Sequence, residues 1–159
     1  MEQKNKTNKT QSTNQAPAEK LAAVRIRGLT GVKSGIKITL SMLKLYKNNY
    51  CCVLQNNKIH EGMLKKAKDY ITWGELDDET FNALVEKRGE EFKGRISDSK
   101  GKINYNDFIT INNKKIKKFF RLNAPKKGFG RKGIKHPYQT GGALGYRGIA
   151  INELIKRMI

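Results

Sequence analysis

Residues 21–36 read LAAVRIRGLTGVKSGI, and the fold of the first half turns on them. The stretch alternates at its end. Val24 and Ile26 share one side and Arg25 and Arg27 the other, as in a half-buried strand with a cationic outer face. Gly28, Gly31 and Gly35 turn the next residues into a loop, and Ser34 suits the N-cap of a helix. Residues 36–48 fit two periods. Ile36, Ile38, Leu40 and Met42 alternate like a strand, while Ile36, Leu40 and Leu43 line one face of a helix. The Ser34 cap and the stop at Asn48-Asn49 favour the helix.

Outward from there the pattern repeats. Residues 50–54 (YCCVL) are an apolar run closed by Gln55-Asn56-Asn57, a strand and a turn. Asn57 caps a helix with Ile59, Met63 and Ala67 on one face, and residues 70–73 (YITW) form a third strand ended by Gly74. Trp73 belongs to the core or a packing edge. A clear helix spans residues 77–88: Asp77 caps it, Asp78 and Glu79 meet its positive end, Lys87 and Arg88 its negative end, and Gly89 stops it. Leu76 and Phe81 sit where a hydrophobic staple packs. Residues 90–113 carry no clear period, and residues 119–122 read as a short strand. Ile151, Leu154, Ile155 and Met158 are spaced to dock a last helix on the core.

Charge divides the chain into blocks. Residues 21–68 hold ten basic and one acidic side chain, residues 69–113 six and ten, and residues 114–159 thirteen and one. The total is +19 over 159 residues, so two basic blocks flank an acidic one. Such asymmetry points to phosphate-facing surfaces. Between Lys114 and Lys135 stand ten basic residues and no acidic one, and seven glycines follow from Gly128 to Gly148. By composition this arm cannot build its own apolar core, and it is expected to stay floppy until a polyanion surrounds it. Residues 1–20 are polar and read as a flexible tail without the apolar core of a signal peptide. No apolar run is long enough to span a membrane. Cys51 and Cys52 are adjacent, point to opposite sides of a strand, and read as buried, reduced thiols. No zinc-type spacing occurs, and no cofactor or small-molecule substrate is indicated.

Three motifs invite other readings. Residues 26–36 resemble a phosphate-binding loop, yet Val32 replaces the glycine that must precede Lys33-Ser34, and no acidic strand follows to hold magnesium. A nucleotide-dependent enzyme on that loop is one alternative; a DNA-associated basic protein is another. Gly28-Leu29-Thr30-Gly31 matches the Gly-x-x-Gly of a KH domain but follows a strand. Gly128-Phe129-Gly130-Arg131-Lys132-Gly133 satisfies G-x-G-x-x-G, but Pro137 and Gly141-Gly142 argue against the helix a dinucleotide site needs. What remains is a glycine-rich loop with Lys33 and Lys37 at a helix N-terminus, able to accept phosphate. Flat rings interleave with the cations of the arm. Phe119 and Phe120 read as core or base contacts, and Phe129, Tyr138 and Tyr146 as better candidates for stacking on bases. His136 has no nearby nucleophile or acid and reads as a phosphate or base contact. No catalytic residue is indicated.

Four stretches together are similar to a known family: VRIRG at 24–28, GMLKKAKDYITWGELDDET at 62–80, FRLNAPKKGFG at 120–130 and GGALGYRGIAINELIKRM at 141–158. They resemble the large-subunit ribosomal protein family called L thirty in bacteria and L seven in eukaryotes, in its archaeal form. The resemblance implies an α+β protein with a ferredoxin-like βαβαβ core, in which a three-stranded antiparallel sheet carries two helices on one side. Additional helices and a basic C-terminal extension complete it. It divides the chain into a tail (1–20), an RNA-binding core (21–76), an acidic helix with an irregular insertion (77–113) and a basic extension ending in a helix (114–159). It implies no enzyme activity, a cytoplasmic place on the ribosome, and large-subunit ribosomal RNA as partner, with neighbouring ribosomal proteins possible. The RNA contacts it implies are Arg25, Arg27, Lys33, Ser34 and Lys37 in the core. In the extension they are Arg121, Lys126, Lys127, Arg131, Lys132, Lys135, His136, Tyr138 and Arg147.

Overall fold

A computed structural model of the chain describes residues 20–159 apart from Asn106 and Asn112; the expected N-terminal tail lies, but for Lys20, outside the described residues. Strand β1 (Lys20–Arg25) is central because it can be covered on both faces: Leu21, Ala22, Ala23 and Val24 are all buried. It pairs antiparallel with β2 (Tyr50–Gln55) on one side and β3 (Ile71–Glu75) on the other, with Ala23 opposite both Cys52 and Trp73. This corrects the half-buried strand with a cationic outer face. The continuous run LAAV was the signal, since a strand open on one side would place polar residues at alternate positions.

The pleat sorts the core into two layers. Leu21, Ala23, Cys52, Ile71 and Trp73 face α1 (Ser34–Met42) and α2 (Lys58–Lys66), which contribute Leu40 and Leu64, with Leu43, Leu45 and Ala67 from the turns that follow them. Ala22, Val24 and Cys51 face the opposite way, toward α3 (Asp78–Arg88) and α4 (Ile151–Met158), which contribute Leu84, Ile151, Leu154, Ile155 and Met158. The adjacent cysteines thus enter different layers as free thiols. Burial raises both pKa values, that of Cys52 to about 12.

The helix expected over residues 36–48 forms, but ends at Met42, where Lys44 turns left-handed (φ 59°). Lys33, not Ser34, holds its N-cap position, and Ser34 is its first residue. Of the stripe expected on α2, Met63 and the following Ala67 pack on the core, but Ile59 is exposed and Leu64 is the buried residue of the helix. Asp77 holds the N-cap position of α3 as expected. Instead of a capping bond from its own side chain, its backbone N–H donates to Asn152 Oδ1 of α4 at 3.1 Å.

The extension enlarges the sheet. Strand β4 (Phe108–Ile111), in the segment without a clear period, forms a hairpin with β5 (Lys114–Lys117) at the start of the extension, and Asn113 turns it with φ 60°. Strand β6 (Phe119–Arg121) then pairs with β2, burying Phe120 in the layer shared with α3 and α4. Phe119 stacks on Tyr50 with ring centroids 5.2 Å apart. Strand β7 (Gly145–Tyr146) runs parallel to β3, giving a five-stranded order β6-β2-β1-β3-β7 in place of three strands alone.

Candidate nucleic-acid interface

The glycine-rich arm is woven into the domain. Gly74 of β3 lies so close to the Gly148 backbone that a Cβ on Gly74 would collide with the Gly148 carbonyl oxygen. Gly142 is pressed in the same way against the His136 carbonyl, which accepts from the N–H groups of Ala143 (2.8 Å) and Leu144 (3.1 Å). Ala143 and Leu144 are buried against Ile26, with Phe129 packed alongside. The loop after β6 is fastened at its other end. The Asn123 N–H donates to the Met158 carbonyl, and Arg157 Nη1 reaches the carbonyls of Lys126 (3.3 Å) and Gly128 (3.2 Å). The floppy arm expected from composition is therefore folded against the core. Glycine here supplies close backbone approach, which composition alone cannot reveal.

Two expected phosphate ligands lie inside. Arg25 is 2% exposed, and its guanidinium donates to the carbonyls of Arg27, Leu45 and Tyr46 at 2.9, 3.0 and 2.6 Å. Arg147 is 8% exposed. It donates to Thr72 Oγ1 and to the carbonyls of Phe129 and Ala143, and its guanidinium lies 4.3 Å from the Tyr138 ring centroid. Burial lowers both arginine pKa values from their ordinary range, yet the carbonyl cradle keeps each charge satisfied. Arg25 ties β1 to the turn after α1, and Arg147 ties the extension to β3.

The remaining expected cations reach the surface. Lys33, Ser34 and Lys37 are exposed at the N-terminal end of α1, and Lys66 Nζ approaches this end near Gly35. Lys126, Lys127, Arg131, Lys132, Lys135 and His136 are exposed along the extension, as is Tyr138. Arg121 is exposed too, but its Nε lies 3.1 Å from Glu90 Oε1. Glu90 in turn accepts from Lys117, a bond that holds its carboxyl below the usual range. Arg27 is half-buried, with Nη1 donating to the Asp69 carbonyl and its guanidinium 5.2 Å from the Tyr70 ring centroid.

A cavity of about 500 Å³ opens where β1, the turn after α2, β3 and the extension meet. Arg27, Lys68 and Lys135 reach it, as do Tyr70, Trp73 and Tyr146. In the sequence Lys66 and Lys68 read as ordinary solvated lysines on a helix face, but Lys68 lines this cavity and Lys66 lies beside Gly35 of α1. Only the packing of α1 and the extension beside them marks them out.

The two sheet faces differ in charge. Helices α1 and α2 carry Lys37, Lys58, Lys65 and Lys66 against a single carboxylate, Glu61. On the opposite face α3 carries Asp78, Glu79 and Glu86 against Lys87 and Arg88, and its first turn pairs outward with Lys20 and Lys156. Among the described residues no group of three or more His, Cys, Asp or Glu side chains converges to hold a metal, and no helix is long and apolar enough to cross a membrane.

Exposed lysines and arginines on α1, α2 and the extension give this α+β fold a basic surface, and so define the class as a basic protein. Comparison with known proteins gives the family. Residues 21–71 match the family model described as ribosomal protein L30p/L7e. The chain is 41% identical over 149 residues to the large ribosomal subunit protein uL30 of Methanopyrus kandleri, covering 84% of this chain and all of that protein. It is 42% identical over 156 residues to the uL30 of Nanoarchaeum equitans, covering 87% and 97% of the two chains. Against the uL30 of Thermoplasma volcanium it is 41% identical over 157 residues, covering 87% and 92%. The chain belongs to the ribosomal protein L30p/L7e family.

Proposed function

We propose that this protein is a structural constituent of the large ribosomal subunit, binding ribosomal RNA through the basic surface of α1, α2 and the extension. It has no catalytic role and works on the cytoplasmic ribosome. The observation that carries this reading is the separation of cations by burial: Arg25 and Arg147 are spent on the fold, while Lys126, Lys127, Arg131, Lys132 and Lys135 of the extension stay exposed. The names of its archaeal relatives support the particle it belongs to. Strands β2, β1 and β3 with α1 and α2 act as a ferredoxin-like core, and β6, β7, α3 and α4 are additions around it.

The contacts proposed for RNA are Arg27, Lys33, Ser34, Lys37, Lys126, Lys127, Arg131, Lys132, Lys135, His136 and Tyr138, with Arg121 at the margin beside Glu90. Arg25 and Arg147 hold the surface in shape. Lysines at exposed positions act as point charges on phosphate, so recognition follows shape and backbone. The test is sedimentation with large subunits, followed by a salt wash. Release at high salt but retention at low salt is expected. Equal affinity for structured ribosomal RNA and duplex DNA at matched salt would contradict the ribosomal reading. ATP or GTP turnover abolished by Lys33→Ala would replace it with the nucleotide-dependent alternative.

A further inference from the structure

Charge neutralisation does not account for the cavity beside the β3–β7 edge. Phosphate contacts need cations and donors, yet this cavity is walled by three aromatic side chains, Tyr70, Trp73 and Tyr146. Its volume of about 500 Å³ falls in the range of pockets that enclose small organic groups, roughly 300–1,000 Å³. The rings of Trp73 and Tyr146 lie 6.3 Å apart, inclined at 53°, so they do not stack on each other. Tyr146 is 48% exposed, and its hydroxyl donates to Glu75, which fixes the ring in place before any ligand arrives. Arg27, Lys68 and Lys135 bring positive charge to the same cavity from three separate parts of the chain.

Aromatic planes with cations around them are the combination that single-stranded RNA recognises: the planes take a base, the cations its flanking phosphates. We propose that this cavity receives one unstacked nucleobase of single-stranded RNA, seated against Tyr146 and Trp73, with the adjoining phosphates on Arg27, Lys68 and Lys135. The inference rests on the RNA-binding reading above and adds a base-holding site to a surface otherwise engaged with backbone.

Trp73 is the only tryptophan in the chain, so all tryptophan fluorescence comes from a ring that lines this cavity. The full chain is titrated with pentaadenylate and with an abasic pentaribonucleotide of the same charge. Saturable quenching is expected with pentaadenylate, at an affinity about ten-fold or more above that of the abasic oligomer. Tyr146→Ala is expected to erase that preference, and Tyr146→Phe, which keeps the ring, to restore most of it. Lys135→Ala is expected to weaken both oligomers alike. Equal binding of the two oligomers, absence of a saturable Trp73 signal, or an undiminished preference in Tyr146→Ala would each overturn the proposal. Filter binding to large-subunit ribosomal RNA, run on the same protein, separates the two levels. If ribosomal RNA binds while the oligomers are not distinguished, the base site falls and the RNA-binding reading stands; if ribosomal RNA does not bind, the reading itself falls.

Discussion

The segment from β1 to β3 and the segment from β5 to α4 are both rich in cations and glycines, yet they fold by different means. The first follows apolar periodicity: runs such as YCCVL and YITW fill two layers around the sheet. The second places its apolar residues before α4 without such a period. It is held by backbone hydrogen bonds, by glycines that admit close approach, and by one buried arginine. Each segment uses an arginine as an internal strut, Arg25 in the first and Arg147 in the second. A basic residue in a binding protein is therefore no guide to function until its burial is known. The cations that bridge carbonyls fix the shape, and only those left in water are free for the RNA contacts proposed above.

That contrast can be broken at its anchor. Leu154 is fully buried beneath the sheet, so Leu154→Ala should cost about 2–5 kcal/mol, read from urea unfolding. A change near zero would mean that α4 does not hold the extension down. Arg147→Ala leaves the carbonyls of Phe129 and Ala143 without their donor, and should cost about 2–3 kcal/mol. Arg147→Lys should recover only part of that, because one ammonium cannot reproduce the guanidinium fork. If the extension is as loose as its composition suggests, both substitutions will be silent.

A smaller effect sharpens the same comparison at the β3–β7 junction. The hydrogen bond from Tyr146 to Glu75, aided by burial, raises the phenol from its usual 10.0 to about 12. Its folded pKa exceeds its unfolded one, so the bond's contribution is intact below about pH 10 and fades as pH rises toward 12. In a tyrosinate absorbance titration one late step is expected, and Glu75→Ala should move it back toward the ordinary range. Loss of the step in Tyr146→Phe would complete the assignment; persistence of the step there would refute it.

Much of this was legible in the residues. The three central strands, all four α-helices and the short strand after Lys118 follow from period, caps and turn residues. The β4–β5 hairpin was not legible, because its strands are short and too polar to stand out, although Asn113 suits the turn between them. Strand β7 could not be foreseen. Its two residues carry no periodicity, and its pairing depends on the contact of Gly74 with Gly148, far apart in sequence. Of the candidate interface, the exposed lysines were legible from charge density. The LAAV run before Arg25 signalled a strand covered on both faces, but the burial of Arg147 was not legible, because no period precedes it.

The division of labour between buried and exposed cations is tested most directly by replacing Lys126, Lys127, Arg131 and Lys132 together with Ala. Affinity for large-subunit ribosomal RNA is then measured across a range of salt concentrations. The urea midpoint should stay where it was, and the slope of log affinity against log salt should flatten by roughly 0.7–0.9 for each phosphate that the protein no longer neutralises. An unchanged slope in a folded protein would contradict the account.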